Sequence, residues 1–163
     1  MTTNQLHIGI DFGGVLSKLD IADENGHRNT QIDMPDSIEI LRKLKNEGHK
    51  LFLISFCGKS RAVETSQSIK NSEISDIFEK EFYVKKPEYK SIICNLIGCD
   101  IMIDDTLEVI DNIKLNCKNT KCIHFNNDNN WKRIYELISH IKTANNPITN
   151  ININELKKYL YLQ

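Results

Sequence analysis

The sequence predicts a three-layer α/β domain in which a parallel sheet carries helices on both faces. Three short apolar runs that end at polar residues are typical of buried strands, and they lie at 6–10, 51–54 and 101–103. Helix-like segments separate these runs, and the alternation favours a parallel sheet that is covered on both sides. The 163 residues suit one domain. We expect its core at about 6–142 and a C-terminal extension at 145–163.

The helices are predicted from apolar residues three or four positions apart, with proline at a start and glycine at an end. The first helix runs from Pro35 to Gly48, with Ile38, Leu41 and Leu44 on its apolar stripe, and a mostly polar helix follows at about 61–70. After a weaker strand at 81–84, a helix from Pro87 to Gly98 should turn Ile92, Ile93, Leu96 and Ile97 inward. The remaining elements are a helix at 106–115, a second weaker strand at 121–125 and a helix at 131–141. The polar segment 15–34, with a turn at 24–26, predicts a hairpin or flap. After a break at 145–147, a short helix is expected at 154–160.

Composition excludes several classes of function. The formal net charge of -1 gives no basic field for a nucleic acid or an anionic membrane. The longest apolar runs are too short to cross a bilayer. The five cysteines include neither a CxxC pair nor zinc-finger spacing, and the N-terminus lacks a signal-peptide pattern. These features favour a reducing, cytoplasmic location. The oligomeric state stays open.

Polar side chains end three of the predicted strands. Asp11 follows the first strand, and Ser55 follows the second. The strand at 101–103 is followed by two aspartates, at 104 and 105. In parallel sheets the ligand crevice lies beyond these strand ends. Converging carboxylates repel one another unless a cation compensates, and Mg²⁺ prefers such oxygen ligands. A metal site of this kind binds phosphate and leaves a carboxylate free to attack phosphorus, while Gly13 and Gly14 let backbone N–H groups approach the anion.

These residues resemble the four motifs of the haloacid dehalogenase (HAD) superfamily. Residues 8–16 look like the first motif, a hydrophobic strand followed by Asp-x-Asp-Gly-Val, and 51–55 are similar to the second, a strand ending in Ser or Thr. Residues 101–105 look like the fourth motif, a strand ending in an acidic pair. The third motif is a lysine near the start of the preceding helix, where Lys90 fits best and Lys86 is the competitor. The resemblance covers about residues 6–125.

The resemblance implies a Rossmann-like fold, phosphatase-type chemistry, a Mg²⁺ cofactor and a phosphorylated substrate. Asp11 would be the nucleophile and a metal ligand, and Ser55 would hydrogen-bond the transferring phosphoryl group. Lys90, or else Lys86, would offset negative charge. The metal would also be held by the side chains of Asp104 and Asp105 and by the backbone carbonyl of Gly13.

The first motif departs from the family pattern at one position. Phosphatases of the superfamily carry a second Asp, the general acid and base, where this sequence has Gly13. Acid–base help typically contributes ~10²–10⁴-fold, so turnover should be low unless another acid substitutes. The candidates in the flap are Asp20, Asp23, Glu24 and Asp33. The segments between the motifs are too short for a cap domain, so an open site for a nucleotide or macromolecular phosphate is expected.

Plainer interpretations stand beside this one. Asp11 is also a turn former, the acidic pair at 104–105 is a suitable helix N-cap, and lysines are usually solvated. Cys57 follows Ser55 and is a candidate redox residue. The alternative function is an inactive HAD-like protein that binds a phosphorylated ligand or a protein partner. A response-regulator receiver domain is a third hypothesis, but its acidic pair normally follows the first strand.

Overall fold

A computed structural model of the protein describes residues 4–19, 29–142 and 153–161. In chain order the described elements are β1 (His7–Ile10), α1 (Ser37–Asn46), β2 (Lys50–Phe56), α2 (Lys59–Lys70), β3 (Phe78–Val84), α3 (Tyr89–Leu96), β4 (Ile101–Asp104), α4 (Leu107–Asn116), β5 (Lys121–His124), α5 (Trp131–Ile138), α6 (Ile153–Leu156) and β6 (Leu160–Tyr161). The predicted turn at 24–26, the predicted break at 145–147 and the candidate acids Asp20, Asp23 and Glu24 lie outside the described residues.

The described strands form one sheet in the order β5-β4-β1-β2-β3-β6. The neighbours among β1 to β5 are parallel. Successive side chains of a strand point to opposite faces, so Leu51 and Leu53 join one apolar cluster while Phe52 and Ile54 join the other. Helices α1, α2 and α5 contribute to the first cluster, and α3 and α4 to the second. The predicted three-layer α/β architecture is therefore confirmed.

Strand register brings the predicted site residues to one edge of the sheet. Ile10 pairs with Leu53 of β2 on one side and with Ile103 of β4 on the other. The N–H of Asp11 donates to the carbonyl of Ile103 at 3.0 Å, which continues this pairing one residue further. Strands β2 and β4 extend beyond their predicted ends, so Ser55 and Asp104 lie within strands rather than after them.

The inward face of α3 differs from the prediction. Ile93 and Ile97 are buried as expected, but Ile92 and Leu96 are only half-buried. The other buried residues of α3 are Lys90, Ser91 and Cys94. The helix is rotated so that a lysine enters the interior, which is tolerable only because acidic partners meet it there.

The predicted helix near the C-terminus is confirmed only in its first part. Instead of a helix over 154–160, the chain forms the short α6 and then β6, which pairs antiparallel with β3 through Tyr83 and Val84. Leu156 and Leu160 are buried against the second apolar cluster. Their spacing of four residues imitates a helix stripe, and a strand of two residues is too short to show alternation. An antiparallel edge strand therefore completes the otherwise parallel sheet.

The segment between β1 and α1 is described in its parts 15–19 and 29–34, and these parts contain no strand. They contact each other through the N–H of Met34, which donates to the carbonyl of Leu16 at 2.9 Å, and through the hydroxyl of Ser17, which donates to the carbonyl of Asn29 at 3.1 Å. Between β2 and β3 the chain forms only α2 and a turn, so no cap domain is inserted there.

Within the described ranges, every helix is too short or too polar to pass through a lipid bilayer.

Candidate metal and phosphate site

A buried lysine joins two aspartates at the edge of the sheet. The ammonium of Lys90 lies 3.0 Å from Oδ1 of Asp11 and 2.6 Å from Oδ2 of Asp104. All three side chains are almost completely buried. Strand β1 delivers Asp11, β4 delivers Asp104, and the first turn of α3 delivers Lys90. Charges that leave water need partners of opposite sign, and here one cation is shared by two anions.

The two adjacent aspartates have different surroundings. Asp104 is fully buried, and its Oδ1 accepts the N–H of Thr106 at 2.9 Å, at the beginning of α4. Asp105 is half-buried and lines the open clefts described below. Its backbone carbonyl is 3.0 Å from Nε2 of His124. The N-cap residue of α4 is Thr106, which makes no side-chain cap hydrogen bond, so neither aspartate is the helix cap. Asp104 is enclosed, while Asp105 presents its carboxylate to the clefts.

The three carboxylates fit a divalent cation. Asp11, Asp104 and Asp105 each offer an oxygen, and these oxygens lie within 4.8 Å of one another. Carboxylate oxygens are the ligands that Mg²⁺ prefers. Lys90 contacts two of these three carboxylates, so three ionised carboxylates beside one ammonium leave an excess of negative charge that a bound cation would neutralise. The donor set and the local charge therefore both suit the metal that the sequence predicts.

The pKa values reflect this excess of acid. Burial raises the pKa of Asp11 from 3.8 to about 6; Lys90 opposes the shift and Asp105 adds to it. Burial, followed by repulsion from Asp11, also raises the pKa of Asp104. Burial disfavours the ammonium of Lys90, but attraction to Asp11 and Asp104 outweighs it and raises the lysine pKa above its ordinary value. Lys90 is therefore protonated while Asp11 titrates close to neutral pH.

The two glycines after Asp11 have different roles. Gly14 has φ +80°, and a Cβ there would overlap the carboxylate of Asp105, with the carboxyl carbon only 2.6 Å away. Glycine is required at that position by both conformation and space. At Gly13 a Cβ would meet ordinary contacts, 3.6 Å from Leu19 and 3.8 Å from the guanidinium of Arg61. The backbone at Gly13 therefore has room for a Cβ, which the aspartate of the family pattern would require.

Ser55 lines the same cleft as Asp11 and Lys90. This cleft of about 390 Å³ is also lined by Gly13, Leu19, Phe56, Cys57, Gly58, Arg61, Asp105, Thr106 and Val109. Cys57 is a poor nucleophile there, because burial raises the pKa of its thiol to about 11 and leaves little thiolate at neutral pH. A second cleft of about 630 Å³ shares Leu19 and Asp105 with the first and includes Lys18, Asp36 and His124.

The structure separates the competing lysines. Lys90 reaches the carboxylates, whereas Lys86 is exposed and its ammonium lies 5.8 Å from the centre of the Tyr89 ring. Asp33, the described candidate for a displaced acid, accepts from the N–H of Lys18 and from the side chain of Asn29 and lines neither cleft. The structure thus brings Lys90 to the site and places Lys86 and Asp33 outside both clefts.

Sequence reasoning missed Arg61, which lies in the first turn of α2 and lines the cleft. The predicted helix beginning at about this residue was assigned no functional side chain. A basic residue in the first turn after the second strand was the available signal, because such a turn faces the carboxyl edge of the sheet.

Comparison with known proteins identifies the fold. No family model matches the sequence, and no curated protein is similar enough to match. A HAD-family enzyme from Bacteroides thetaiotaomicron, in complex with magnesium and inorganic phosphate, aligns over 80% of this chain and 98% of its own with 14% identity and a TM-score of 0.61. A HAD-superfamily hydrolase from Ehrlichia chaffeensis aligns over 85% of this chain and 98% of its own with 13% identity and a TM-score of 0.61.

A third solved structure is similar at a lower score. The D,D-heptose 1,7-bisphosphate phosphatase from B. bronchiseptica, complexed with magnesium and phosphate, aligns over 83% of this chain and 98% of its own, with 11% identity and a TM-score of 0.55. Sequence identities this low establish the fold rather than the activity. The protein has a HAD-like fold, as the sequence motifs predict.

Proposed function

We propose that the protein is a Mg²⁺-dependent phosphohydrolase or phosphotransferase in which Asp11 is the nucleophile. The observation that carries this proposal is the buried group of Asp11, Lys90 and Asp104, with Asp105 beside it, at the carboxyl edge of a HAD-like sheet. Similar folds have been solved with magnesium and phosphate, which supports the same class of reaction here.

Each residue has a role that follows from its position. Lys90 holds the Asp11 carboxylate in place through the 3.0 Å contact to Oδ1 and keeps it ionised as phosphate approaches. Ser55 lines the same cleft and offers a hydroxyl to the phosphoryl oxygens. Asp104 holds the ammonium of Lys90 through the 2.6 Å contact to its Oδ2. A Mg²⁺ ion held by Asp11, Asp104 and Asp105 would neutralise phosphate charge when bound.

The reaction would proceed in two displacements. An oxygen of Asp11 attacks phosphorus, the bond to the leaving oxygen breaks, and an aspartyl-phosphate forms. Water or another acceptor then attacks that phosphorus and returns the Asp11 carboxylate. With glycine at position 13, no side chain there can protonate the leaving oxygen. We therefore expect slow turnover, in an open cleft that admits a nucleotide or a macromolecular phosphate.

The decisive experiment compares wild type, Asp11→Asn and Asp111→Asn on a panel of phosphate esters with Mg²⁺. Asp111 is an exposed aspartate of α4 and serves as the matched control. We expect phosphate release and acid-stable phosphoryl labelling in wild type and in the control, and neither in Asp11→Asn. Equal activity in all three proteins would rule out the mechanism.

Gly13 favours a second candidate function, a catalytically inactive protein that binds a phosphorylated ligand or a protein partner. In that case Mg²⁺ and phosphate would raise the melting temperature by binding the native state. Turnover would stay at background, and Gly13→Asp would create it, since the backbone there accepts a side chain. Brisk turnover by the wild type would eliminate this alternative.

A further inference from the structure

The side-chain side of Gly13 faces a cation and an apolar group. A Cβ built on this residue would lie 3.8 Å from Nη2 of Arg61 and 3.6 Å from Cδ2 of Leu19. The family pattern implies a proton donor in this direction. In this protein the same space adjoins a guanidinium, so the cleft offers positive charge where an acid is expected.

Arg61 is positioned toward the cleft. It lies in the first turn of α2, and its Nη2 donates to the backbone carbonyl of Asn29 at 3.1 Å. Arginine side chains in proteins stay protonated, so they stabilise an anion without transferring a proton to it. A leaving oxygen in this part of the cleft would therefore depart as an anion beside Arg61.

Departure as an anion limits the kind of phosphate ester that can react. A phenol such as the tyrosine hydroxyl has a pKa of about 10. Water, which an ordinary alcohol approximates, has a pKa far above that of a phenol. A phenolate leaves readily without a proton, whereas an alkoxide does not. Among the described residues that line the cleft, the acids are the proposed nucleophile Asp11 and the proposed metal ligand Asp105. With a fixed cation on the side of Gly13, this part of the cleft is therefore matched to weakly basic leaving groups.

The lining of the cleft adds a second condition. Leu19 and Phe56 both line it, and they are 61% and 50% exposed. Val109 also lines the cleft but is buried. Large apolar side chains left in water beside a polar site are typical of surfaces that contact a ligand. An aromatic ring would cover these residues, whereas a charged or small leaving group would not.

We propose that the substrates are aryl phosphate monoesters, with Arg61 stabilising the departing aryloxide and with Leu19 and Phe56 packing against its ring. The proposal rests on the proposed function. Asp11 attacks phosphorus, and the electron pair of the broken P–O bond leaves with the aryl oxygen. Water then attacks the aspartyl-phosphate, which regenerates the carboxylate and yields dihydrogen phosphate. The sum is aryl phosphate dianion plus water giving aryloxide plus dihydrogen phosphate.

The test uses four substrates that vary ring and basicity separately. Phenyl phosphate has a ring and a weakly basic leaving group, benzyl phosphate has the ring alone, acetyl phosphate has the weak basicity alone, and ethyl phosphate has neither. For wild type with Mg²⁺ we expect kcat/KM to be highest for phenyl phosphate. Benzyl phosphate should be slower by at least ~10²-fold, the lower range of what acid–base help contributes.

Variants assign the two conditions to residues. Arg61→Ala should lower kcat/KM for phenyl and acetyl phosphates by ~10²-fold, the usual loss when a charge-stabilising donor is removed. Phe56→Ser should raise KM for phenyl and benzyl phosphates and leave the KM for acetyl phosphate unchanged. Gly13→Asp should accelerate benzyl phosphate most and narrow the difference between the two ring substrates. Arg133→Ala, an exposed arginine of α5, is the control and should behave as wild type.

The outcomes separate the two proposals. If benzyl or ethyl phosphate matches phenyl phosphate in an Asp11-dependent reaction, the substrate assignment is wrong while the proposed function stands. If acetyl phosphate is preferred and Phe56→Ser has no effect, the ring requirement is wrong. If Asp11→Asn leaves the hydrolysis of all four substrates unaltered, the proposed function fails, and the substrate class fails with it. Melting temperatures confirm that each variant is folded.

Discussion

The ammonium of Lys90 is closer to Asp104, at 2.6 Å, than to Asp11, at 3.0 Å, so the lysine is anchored to β4 and extends toward the residue that follows β1. The same side chain comes from α3, on one face of the sheet. It therefore joins a helix to two strand ends. This arrangement gives Lys90 a structural role that is independent of any reaction at Asp11.

Replacing Lys90 should destabilise the fold as well as the site. Lys90→Met leaves two buried carboxylates without their cation, and breaking a buried pair in this way costs about 3–5 kcal/mol. Urea unfolding at neutral pH without metal should show this loss in the free energy of unfolding. Lys86→Met is the matched control, because Lys86 is exposed, and should stay close to wild type. A Lys90→Met protein as stable as the control would contradict the structural role.

The two adjacent aspartates should respond differently to the same substitution. Asp104→Asn removes the charge that faces Lys90 and weakens the bond to the N–H of Thr106, so we expect a loss of about 1–3 kcal/mol in stability. Asp105→Asn removes a carboxylate that faces the clefts, so it should leave the unfolding free energy nearly unchanged and abolish the rise in melting temperature caused by Mg²⁺. Both residues are proposed metal ligands, so thermal scans without Mg²⁺ distinguish the two variants: only Asp104→Asn should lower the metal-free melting temperature. Equal effects of both variants would disprove this division of roles.

Much of the site could be predicted from the sequence because parallel strands bring their carboxyl ends to one edge. Asp11 and Asp105 directly follow β1 and β4, and Ser55 lies one residue before the end of β2, so their proximity follows from topology. The choice of Lys90 over Lys86 came from the family resemblance, in which the motif lysine lies near the start of the helix before the acidic pair, and the buried helix face agrees with it. Positions 90, 93, 94 and 97 share one helix face, and all four are buried, so Lys90 lies on the buried face of α3. The catalytic and metal-binding roles of these residues stay predictions.

Other features depend on contacts between distant parts of the chain. Arg61 adjoins Gly13 because α2 follows the strand next to β1. Its place in the first turn of α2 indicates that it faces the carboxyl edge of the sheet, but not which residue it meets there. Strand β6 exists because β3 offers an unpaired edge to Tyr161 and Leu160, and its own sequence is too short to specify a strand. Apolar residues usually fill the buried positions of a helix. Lys90 is an exception, because Asp11 and Asp104 pair with its charge, and such exceptions are expected at sites.

The conformation of Gly14 should be required for metal binding. Gly14→Ala places a Cβ against the Asp105 carboxylate at φ +80°, so both the backbone and the ligand must move. We expect a stability loss of more than 1 kcal/mol, which is the scale of placing alanine at positive φ, together with loss of the Mg²⁺-induced rise in melting temperature. Gly48→Ala is the matched control, since Gly48 has φ +95° with no atom within 4 Å of a Cβ. It should lose stability but leave the effect of the Mg²⁺ at the site intact. Retention of the Mg²⁺ effect in Gly14→Ala would refute the requirement.

The raised pKa of Asp11 predicts how pH affects the metal-free protein. The folded value of about 6 exceeds the ordinary 3.8, so the native state binds a proton more tightly than the unfolded chain does. The stabilisation from this protonation is complete below about pH 4 and is lost as pH rises through 6. Two pKa units correspond to roughly 3 kcal/mol. Asp11→Asn lacks the titration, so its stability relative to wild type should increase by up to that amount between pH 4 and pH 8.

Urea unfolding at several pH values in EDTA measures this trend. Asp76→Asn is an opposite-sign control, because a hydrogen bond from Arg42 lowers the pKa of Asp76. Its aspartate stabilises the protein at higher pH and loses that effect as pH falls. Added Mg²⁺ should bind more tightly as pH rises through 6, since the cation competes with the proton on Asp11. A stability difference between wild type and Asp11→Asn that is constant from pH 4 to pH 8 would show that Asp11 does not titrate in this range.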